Sequence, residues 1–204
     1  LKFMDSQILT WDGVEVWVSR SGYTGEDGFE ISVPSPEAEN LARALLEPDW
    51  VLPAGLGARD SLRLEAGMPL YGHDLSPQIT PVEADLGWAI PKVRRLGGSR
   101  EGGFPGAEII LKQLAEGVTR KRTGLRAEGR APVREGAKLF LSPEDTEPVA
   151  EVTSGGFGAT VGGPVAMAML PPEVQPGATI YAEVRGKRLP MTVTALPFIT
   201  PSYK

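Results

Sequence analysis

The residues best suited to binding chemistry lie in one glycine-rich run, from position 22 to position 30. This run carries one tyrosine, Tyr23, and three carboxylates, Glu26, Asp27 and Glu30. A carboxylate fixed at the start of a strand can accept hydrogen bonds from a ring that presents two adjacent N–H groups. Glu30 has such a position, whereas Glu26 and Asp27 fall at the tip of the loop, where solvated or capping roles are expected. The alternative for Glu30 is a structural salt bridge.

Two strands are expected to hold this run in place. The residues at 14–18 and 29–33 have the alternation and the β-branched content of strands. The glycines between them favour a tight, non-helical loop, because glycine reaches positive φ without steric cost. Phe29 and Ile31 are expected to be buried, which would leave Glu30 half-buried and in need of a partner.

A second group of charges begins at Arg59, on a helix that the pattern predicts over about 58–66, ending at Gly67. Arg59 and Arg63 share one helical face at i,i+4 spacing and repel each other. Asp60 lies three residues before Arg63 and can neutralise it. Arg59 would then be available for a carboxylate or another polar group of a ligand. The alternative is a structural network within the helix.

The single histidine, His73, precedes Asp74 and could act as a general base that Asp74 orients. No serine has a nucleophile-elbow context and the chain has no cysteine, so a hydrolytic triad is not expected. A structural role for His73 is therefore favoured.

The glycines at 155–158 and 162–163 lack the spacing of a phosphate-binding loop, and we interpret them as turns of a β-domain.

The composition narrows the classes of function. A net charge of −5 and a pI near 5.1 argue against a general nucleic-acid-binding protein. The basic run at 120–122 is interpreted as solvated charges on an edge strand. With no cysteine and one histidine, cysteine-ligated and histidine-rich metal sites are excluded within the chain, and no metal is expected. No window approaches the ~18 consecutive apolar residues of a membrane span.

The chain of 204 residues divides by pattern into two parts. Residues 1–96 mix strand and helix patterns, including a helix that Ser35 is expected to cap. A glycine-rich linker and a short helix, about 107–115, occupy residues 97–117. Residues 118–204 carry six short apolar segments separated by Gly- and Pro-rich turns, which predicts a sandwich or a barrel. These segments lie near 123–127, 138–141, 149–153, 165–170, 179–184 and 189–195.

Five motifs in this order resemble one family. They are SGYTGEDGFEI at 21–31, GARDSLRLEAG at 57–67, LYGHD at 70–74, TPVE at 80–83 and VTSG at 152–155. Over nearly the whole chain, this series resembles the aminomethyltransferase (T protein) family of the glycine cleavage system. Near relatives that serve iron–sulfur cluster assembly carry a Lys-Gly-Cys-Tyr type signature. This chain has Ser21-Gly22-Tyr23 instead, which argues against that branch.

The resemblance implies an α+β folate-binding region, incomplete at its start, followed by a small antiparallel β-barrel. It also implies a reaction in which a lipoylated partner, the H protein of the glycine cleavage complex, presents an aminomethyl group to tetrahydrofolate. Ammonia and 5,10-methylenetetrahydrofolate are the products. By resemblance, Glu30, Arg59 and Tyr203 contact the tetrahydrofolate co-substrate, and no metal, nucleic acid or membrane takes part. The family acts in the bacterial cytoplasm or in the mitochondrial matrix of eukaryotes.

Members of this family are about twice as long as the chain. The aspartate credited with assisting chemistry at N5 has no match among these residues, so no catalytic residue is assigned here. We expect the chain to be the C-terminal portion of a T protein and to be inactive in isolation, because positioning groups supply only part of the transition-state stabilisation. The alternatives are a non-catalytic folate-binding protein and the folate domain of an amine-oxidising flavoprotein.

Overall fold

A three-stranded antiparallel sheet begins the chain, in the order β1–β2–β3. The computed structural model describes residues 1–201 and gives these strands as β1 (Ser6–Trp11), β2 (Val14–Ser19) and β3 (Glu30–Ser32). Asp12 and Gly13 form the turn between β1 and β2, with φ of 49° and 78°, the backbone geometry whose twist matches that of paired strands. Glu30 pairs with Ser19 of β2. The glycine-rich run therefore forms the loop between β2 and β3, and both predicted strands are confirmed.

The described residues contain three α-helices and three short 3-10 turns. The cap predicted at Ser35 is wrong, because a 3-10 turn starts there and no side chain caps it. Gly67 stops the second helix as predicted: its N–H donates to Leu64, the N–H of Met68 donates to Arg63, and Gly67 has a φ of 67°. The helices are α1 (Ala38–Leu45), α2 (Leu56–Glu65) and α3 (Ala107–Glu116), and the 3-10 turns are Ser35–Glu37, Gly87–Ala89 and Lys92–Arg94.

The second part of the chain is a closed antiparallel barrel with the strand order β4-β7-β6-β5-β8-β9. Each strand overlaps one of the six predicted segments. The closed strand order confirms the barrel over the sandwich. Alternate side chains point inward and form one apolar core, in which Leu125, Leu139, Ile180 and Met191 are fully buried. The strands are β4 (Lys121–Ala127), β5 (Lys138–Phe140), β6 (Ala150–Gly158), β7 (Gly163–Leu170), β8 (Thr179–Val184) and β9 (Lys187–Thr194).

The glycines at 155–158 lie within strand β6, so their interpretation as turns is wrong. Two of them are needed for close approach. A Cβ on Gly155 would lie 2.0 Å from the carbonyl oxygen of Val133, and one on Gly158 would lie 2.7 Å from Oε1 of Glu65. The sequence could not distinguish a turn from a close contact, because glycine permits both.

Within the basic run at 120–122, β4 pairs with β7 alone, and its pairing with β9 begins at Gly124. The interpretation of the run as solvated charges is nevertheless wrong for Arg122. Arg122 is buried and donates from Nε to the carbonyl of Ala84 (2.8 Å) and from Nη1 to that of Gly67 (2.6 Å). Burial lowers the pKa of the Arg122 guanidinium. Arg120 pairs with Glu83 at 2.9 Å. The run therefore fastens the first part of the chain to the barrel.

Helix α2 packs directly on strands β6 and β7. Leu64 lies in a small apolar cluster with Val165, Met167 and Phe198. The fully buried Glu65 accepts a hydrogen bond from the N–H of Val161 at 2.7 Å. These contacts lie near the end of α2 and fix which face of the helix meets the barrel.

Candidate functional site

A cavity of about 360 Å³ lies where the β2–β3 loop, helix α2 and strand β6 meet. Its walls bring together residues that are far apart in the sequence. The side chains that matter for its chemistry are those of Tyr23, Arg59, Arg63, His73, Glu135 and Ser154. The first part of the chain and the barrel both contribute, so their contact shapes the cavity.

Arg59 lies over the ring of Tyr23, with its guanidinium carbon 4.6 Å from the ring centroid. This contact is a cation–π interaction. Arg63 takes Asp60 as its partner, with Nε donating to Oδ1 at 2.8 Å. None of the salt bridges between residues 1 and 201 involves Arg59. The prediction that Arg59 is the freer of the two arginines is confirmed.

The β2–β3 loop is held against the end of α2. The hydroxyl of Tyr23 donates to the carbonyl of Pro69, and burial raises the pKa of that hydroxyl. Gly25 has a φ of 77°, and a Cβ there would lie 2.6 Å from the Cβ of Ala66. This position therefore requires glycine for both its conformation and its packing. The loop in turn places the tyrosine ring under Arg59.

A buried ion pair forms the floor of the cavity. Arg63 and Asp74 are 3% and 0% exposed, and Nη1 of Arg63 lies 3.0 Å from Oδ2 of Asp74. Ser154 of β6 accepts a hydrogen bond from Nη2 of Arg63 at 2.9 Å and donates to Asp74 at 2.7 Å. The N–H of Leu70 also donates to Asp74. This network joins α2, the loop at 70–75 and the barrel.

Asp74 does not orient His73, so the alternative of a general base held by Asp74 finds no support in the contacts. The Nδ1 of His73 lies 2.7 Å from Oε2 of Glu135, in the segment between β4 and β5. The side chain of Asp74 points instead into the buried network. Glu135 was not singled out in the sequence, because its separation of 62 residues from His73 leaves no local pattern.

Glu30 lies outside this cavity, and its expected burial is wrong. Both Glu30 and Phe29 are exposed, with Phe29 at 58%. One carboxylate oxygen of Glu30 accepts a hydrogen bond from Ser21 at 2.8 Å. No salt bridge in the described part of the chain includes Glu30, so the alternative of a structural ion pair finds no support there.

Asp27 at the loop tip has the structural role instead. Both of its oxygens accept from Arg20, at 2.8 and 2.7 Å. The hydrogen bond from Arg20 lowers the pKa of the Asp27 carboxyl. Of the three residues expected to contact folate, Arg59 lines the cavity and Glu30 begins the neighbouring strand. Tyr203 lies outside the described residues.

Residues 1–201 contain no group of three or more His, Asp or Glu side chains placed to hold a metal ion. They also contain no helix that is long and apolar enough to cross a membrane.

Comparisons with known proteins agree with this architecture. The family model for the GCVT N-terminal domain matches residues 1–94, and the model for the glycine cleavage T-protein C-terminal barrel domain matches residues 120–199. A mitochondrial aminomethyltransferase of Dictyostelium discoideum is 46% identical over 100% of this chain and 51% of its own length. One from Flaveria trinervia is 47% identical over 98% of the chain and 48% of its own length.

A solved structure shares the fold. The crystal structure of the glycine cleavage system aminomethyltransferase T from Bartonella henselae matches with a TM-score of 0.89 at 42% identity, over 98% of this chain and 54% of that one. The chain belongs to the aminomethyltransferase (T protein) family of the glycine cleavage system and corresponds to its C-terminal portion. It spans about half the length of the curated relatives it matches.

Proposed function

We propose that this chain is the folate-binding C-terminal portion of an aminomethyltransferase, and that the cavity at Tyr23 and Arg59 holds part of tetrahydrofolate. The unpaired guanidinium of Arg59, seated on the ring of Tyr23, is the observation that carries the proposal. A guanidinium held in this way can donate two parallel hydrogen bonds to a carbonyl or carboxylate of the ligand, while the ring covers its face.

Glu30 is the proposed anchor for the pterin ring. Ser21 occupies one of its oxygens, and no cation pairs with it among the described residues. A carboxylate can accept both of the adjacent N–H donors of a pterin in a fork, and such charge-assisted bonds are stronger than neutral ones. Tyr203 is proposed as a third contact from the family resemblance alone.

In the proposed reaction, the lipoylated H protein presents an aminomethyl group on a sulfur of its lipoyl arm. The methylene carbon forms bonds to N5 and N10 of tetrahydrofolate, and its bonds to the amine nitrogen and to sulfur break. The two protons from N5 and N10 leave with ammonia and with the thiol. The products are ammonia, 5,10-methylenetetrahydrofolate and the reduced lipoyl dithiol, and no metal takes part.

The contribution of these residues to that reaction is binding and orientation. We assign no catalytic residue to the chain, and we propose that it is inactive when isolated.

The proposed units are a folate-binding region at 1–96, a linker with a short helix at 97–117 and the barrel at 118–204. The proposed partners are the H protein and the glycine cleavage complex. The compartment would be the cytoplasm of a bacterium or the mitochondrial matrix of a eukaryote.

Arg59→Gln tests the binding site directly. Loss of a charge-assisted hydrogen bond, worth about 1.5–3 kcal/mol, should raise the Kd for tetrahydrofolate by about 10-fold or more. Isothermal titration calorimetry of the purified protein measures this change. Arg43→Gln is the matched control, because Arg43 is exposed on α1 and, within residues 1–201, forms a salt bridge only with Glu39. Equal affinities of the two variants would remove Arg59 from the site.

Ammonia release from aminomethyl-loaded H protein separates an enzyme from a folate-binding protein. The assay is run with the chain alone and with the chain joined to the half of a T protein that it does not span. We expect release only from the joined protein. A joined protein that binds tetrahydrofolate but releases no ammonia would support the non-catalytic alternative.

A further inference from the structure

The three-stranded sheet has one covered side and one open side. Successive residues of a strand alternate between the two sides, and directly opposite residues of paired strands point to the same side. Val16 of β2 is 4% exposed, so its side of the sheet is covered. On the other side, Trp17 is 58% exposed, and Ile8, its partner in β1, is 64% exposed. We call this side of the sheet the open face.

Glu30 also lies on the open face. The strand register places Glu30 in one row of opposite residues and Trp17 in the next row. The hydroxyl oxygens of Ser6 and Ser19, in the row of Glu30, are 2.8 Å apart, as residues on one face require. Trp17 and Glu30 are therefore diagonal neighbours, a relation that long and aromatic side chains can bridge. The two rows are Ser6, Ser19 and Glu30, and Ile8, Trp17 and Ser32.

The two rows offer two kinds of contact. In the first, Ser21 donates to one oxygen of Glu30 at 2.8 Å. No salt bridge within residues 1–201 includes Glu30, so its carboxylate can accept from a ligand. In the second, an indole and an aliphatic side chain lie side by side. A flat heteroaromatic ring with N–H donors on its edge matches both rows together.

An apolar partner suits this face less well. Such a partner would cover Trp17 and Ile8, but it would also bury the carboxylate of Glu30 without a compensating donor, which costs free energy. The alternation at 14–18 puts Trp17 on the same side of β2 as Glu15, the side where a half-buried strand usually carries polar residues. The open face therefore favours an occupant that is both aromatic and polar at its edge.

We propose that Trp17 stacks on the face of the pterin ring while Glu30 holds the edge of the same ring. This inference rests on the proposed function and adds a binding residue that none of the five family-like motifs contains. Ile8 extends the apolar surface beside the indole. The pterin would then lie across two rows of the sheet, with its N–H donors toward Glu30.

Trp17→Leu tests the stacking, because leucine keeps an apolar side chain and removes the aromatic ring. We expect the Kd for tetrahydrofolate to rise by about 10-fold, which is the size of effect that the loss of a stacked aromatic side chain has on heterocyclic bases. Trp17→Phe should restore most of the affinity, since its ring can still stack. Calorimetry of the purified protein measures both variants.

Trp50→Leu is the matched control. Trp50 is 83% exposed in the segment between α1 and α2, and this variant should bind tetrahydrofolate as tightly as the unaltered protein. Urea unfolding should be the same for Trp17→Leu and Trp50→Leu, because both side chains are exposed. A loss of folate affinity that accompanied a loss of stability in Trp17→Leu would indicate a structural role and overturn the inference.

Parts of the ligand locate the contact. A reduced pterin without a side chain carries the ring alone, and p-aminobenzoylglutamate carries the remainder of the folate. In NMR titrations, Trp17→Leu should weaken binding of the reduced pterin by about 10-fold and leave binding of p-aminobenzoylglutamate unchanged. The opposite pattern would place Trp17 beside the remainder of the ligand and overturn the inference.

The outcomes separate this inference from the proposed function. If tetrahydrofolate binds Trp17→Leu and the unaltered protein equally, Trp17 does not stack on the ring, and the proposed function stands. If no folate binds the unaltered protein, the proposed function fails, and the reduced pterin alone tests the open face. Pterin binding that Trp17→Leu weakens would support the inference, and its absence would overturn it. An effect of Trp17→Leu on self-association alone, measured by analytical ultracentrifugation, would make the open face a contact between copies of the chain and also overturn it.

Discussion

The barrel and the three-stranded sheet bury their apolar residues very differently. Inside the barrel, side chains such as Leu139 and Met191 are fully buried. In the sheet, Ile8 is 64% exposed and Trp17 is 58% exposed, and strand β1 has no buried residue. In the closed barrel every strand pairs with two neighbouring strands. In the three-stranded sheet, β1 and β3 each pair with β2 alone.

This difference shows where the site takes its rigidity from. Arg59 stands on α2, which is fixed to the barrel through the Leu64 cluster and the network of Arg63 and Asp74. Glu30 stands on a three-residue strand of the exposed sheet. The barrel therefore positions one proposed folate contact firmly, while the other depends on the less buried region.

Asp74→Ala should cause the largest loss of stability. It leaves the buried guanidinium of Arg63 without its buried counter-charge, and breaking such a pair costs about 3–5 kcal/mol. Urea unfolding, followed by the fluorescence of the tryptophans, measures the free energy of unfolding. Asp27→Ala is the matched control, because it removes an exposed pair with Arg20. Similar losses in both variants would mean that the junction with the barrel is no stronger than the surface of the sheet.

Leu139→Ala and Ile8→Ala compare the two apolar regions with the same kind of truncation. Leu139 is fully buried in the barrel, so its loss should lower the free energy of unfolding by about 2–5 kcal/mol. Ile8 is exposed, so its loss should change that free energy by no more than about 0.5 kcal/mol. Denaturant titration of both variants is the measurement. A cost at Ile8 approaching that at Leu139 would show that β1 is covered in solution.

The sequence was sufficient for elements whose signals are local. The barrel strands were predicted because short alternating segments and turn residues recur at regular spacing, and α2 was predicted to stop at Gly67 because glycine suits the positive φ found there. The pairing of Asp60 with Arg63 was also predicted, because three residues separate them on one helix.

The sequence was insufficient where the partner is distant. Asp74 meets Arg63 and Ser154 across 11 and 80 residues, and no local spacing predicts either contact. The burial of Arg122 is not predictable from the sequence, because its acceptors are backbone carbonyls. Every residue type has such a carbonyl, so the residue types do not identify the acceptors. The burial of Glu30 was misjudged because alternation identifies a strand without showing what covers it.

Glu30→Gln gives the smallest of the expected losses of free energy, apart from that of the exposed control Ile8→Ala, and tests the exposed side of the comparison. The amide keeps the size of the side chain but replaces one acceptor oxygen with a donor, so a forked contact with the pterin is lost. We expect the Kd for tetrahydrofolate to rise by about 10-fold or more, from a charge-assisted bond worth about 1.5–3 kcal/mol, with unfolding unchanged because Glu30 is exposed. Calorimetry and urea titration of one preparation measure both quantities.

Glu26→Gln in the same loop is the control for the charge change. If Glu30→Gln binds folate as tightly as the unaltered protein, the carboxylate has a structural role with Ser21, and the proposed contacts reduce to those that the barrel positions. If affinity falls in Glu30→Gln alone, a residue on the exposed sheet contributes as much to binding as Arg59 does. Folate binding would then depend on the exposed sheet as much as on the part of the site that the barrel positions.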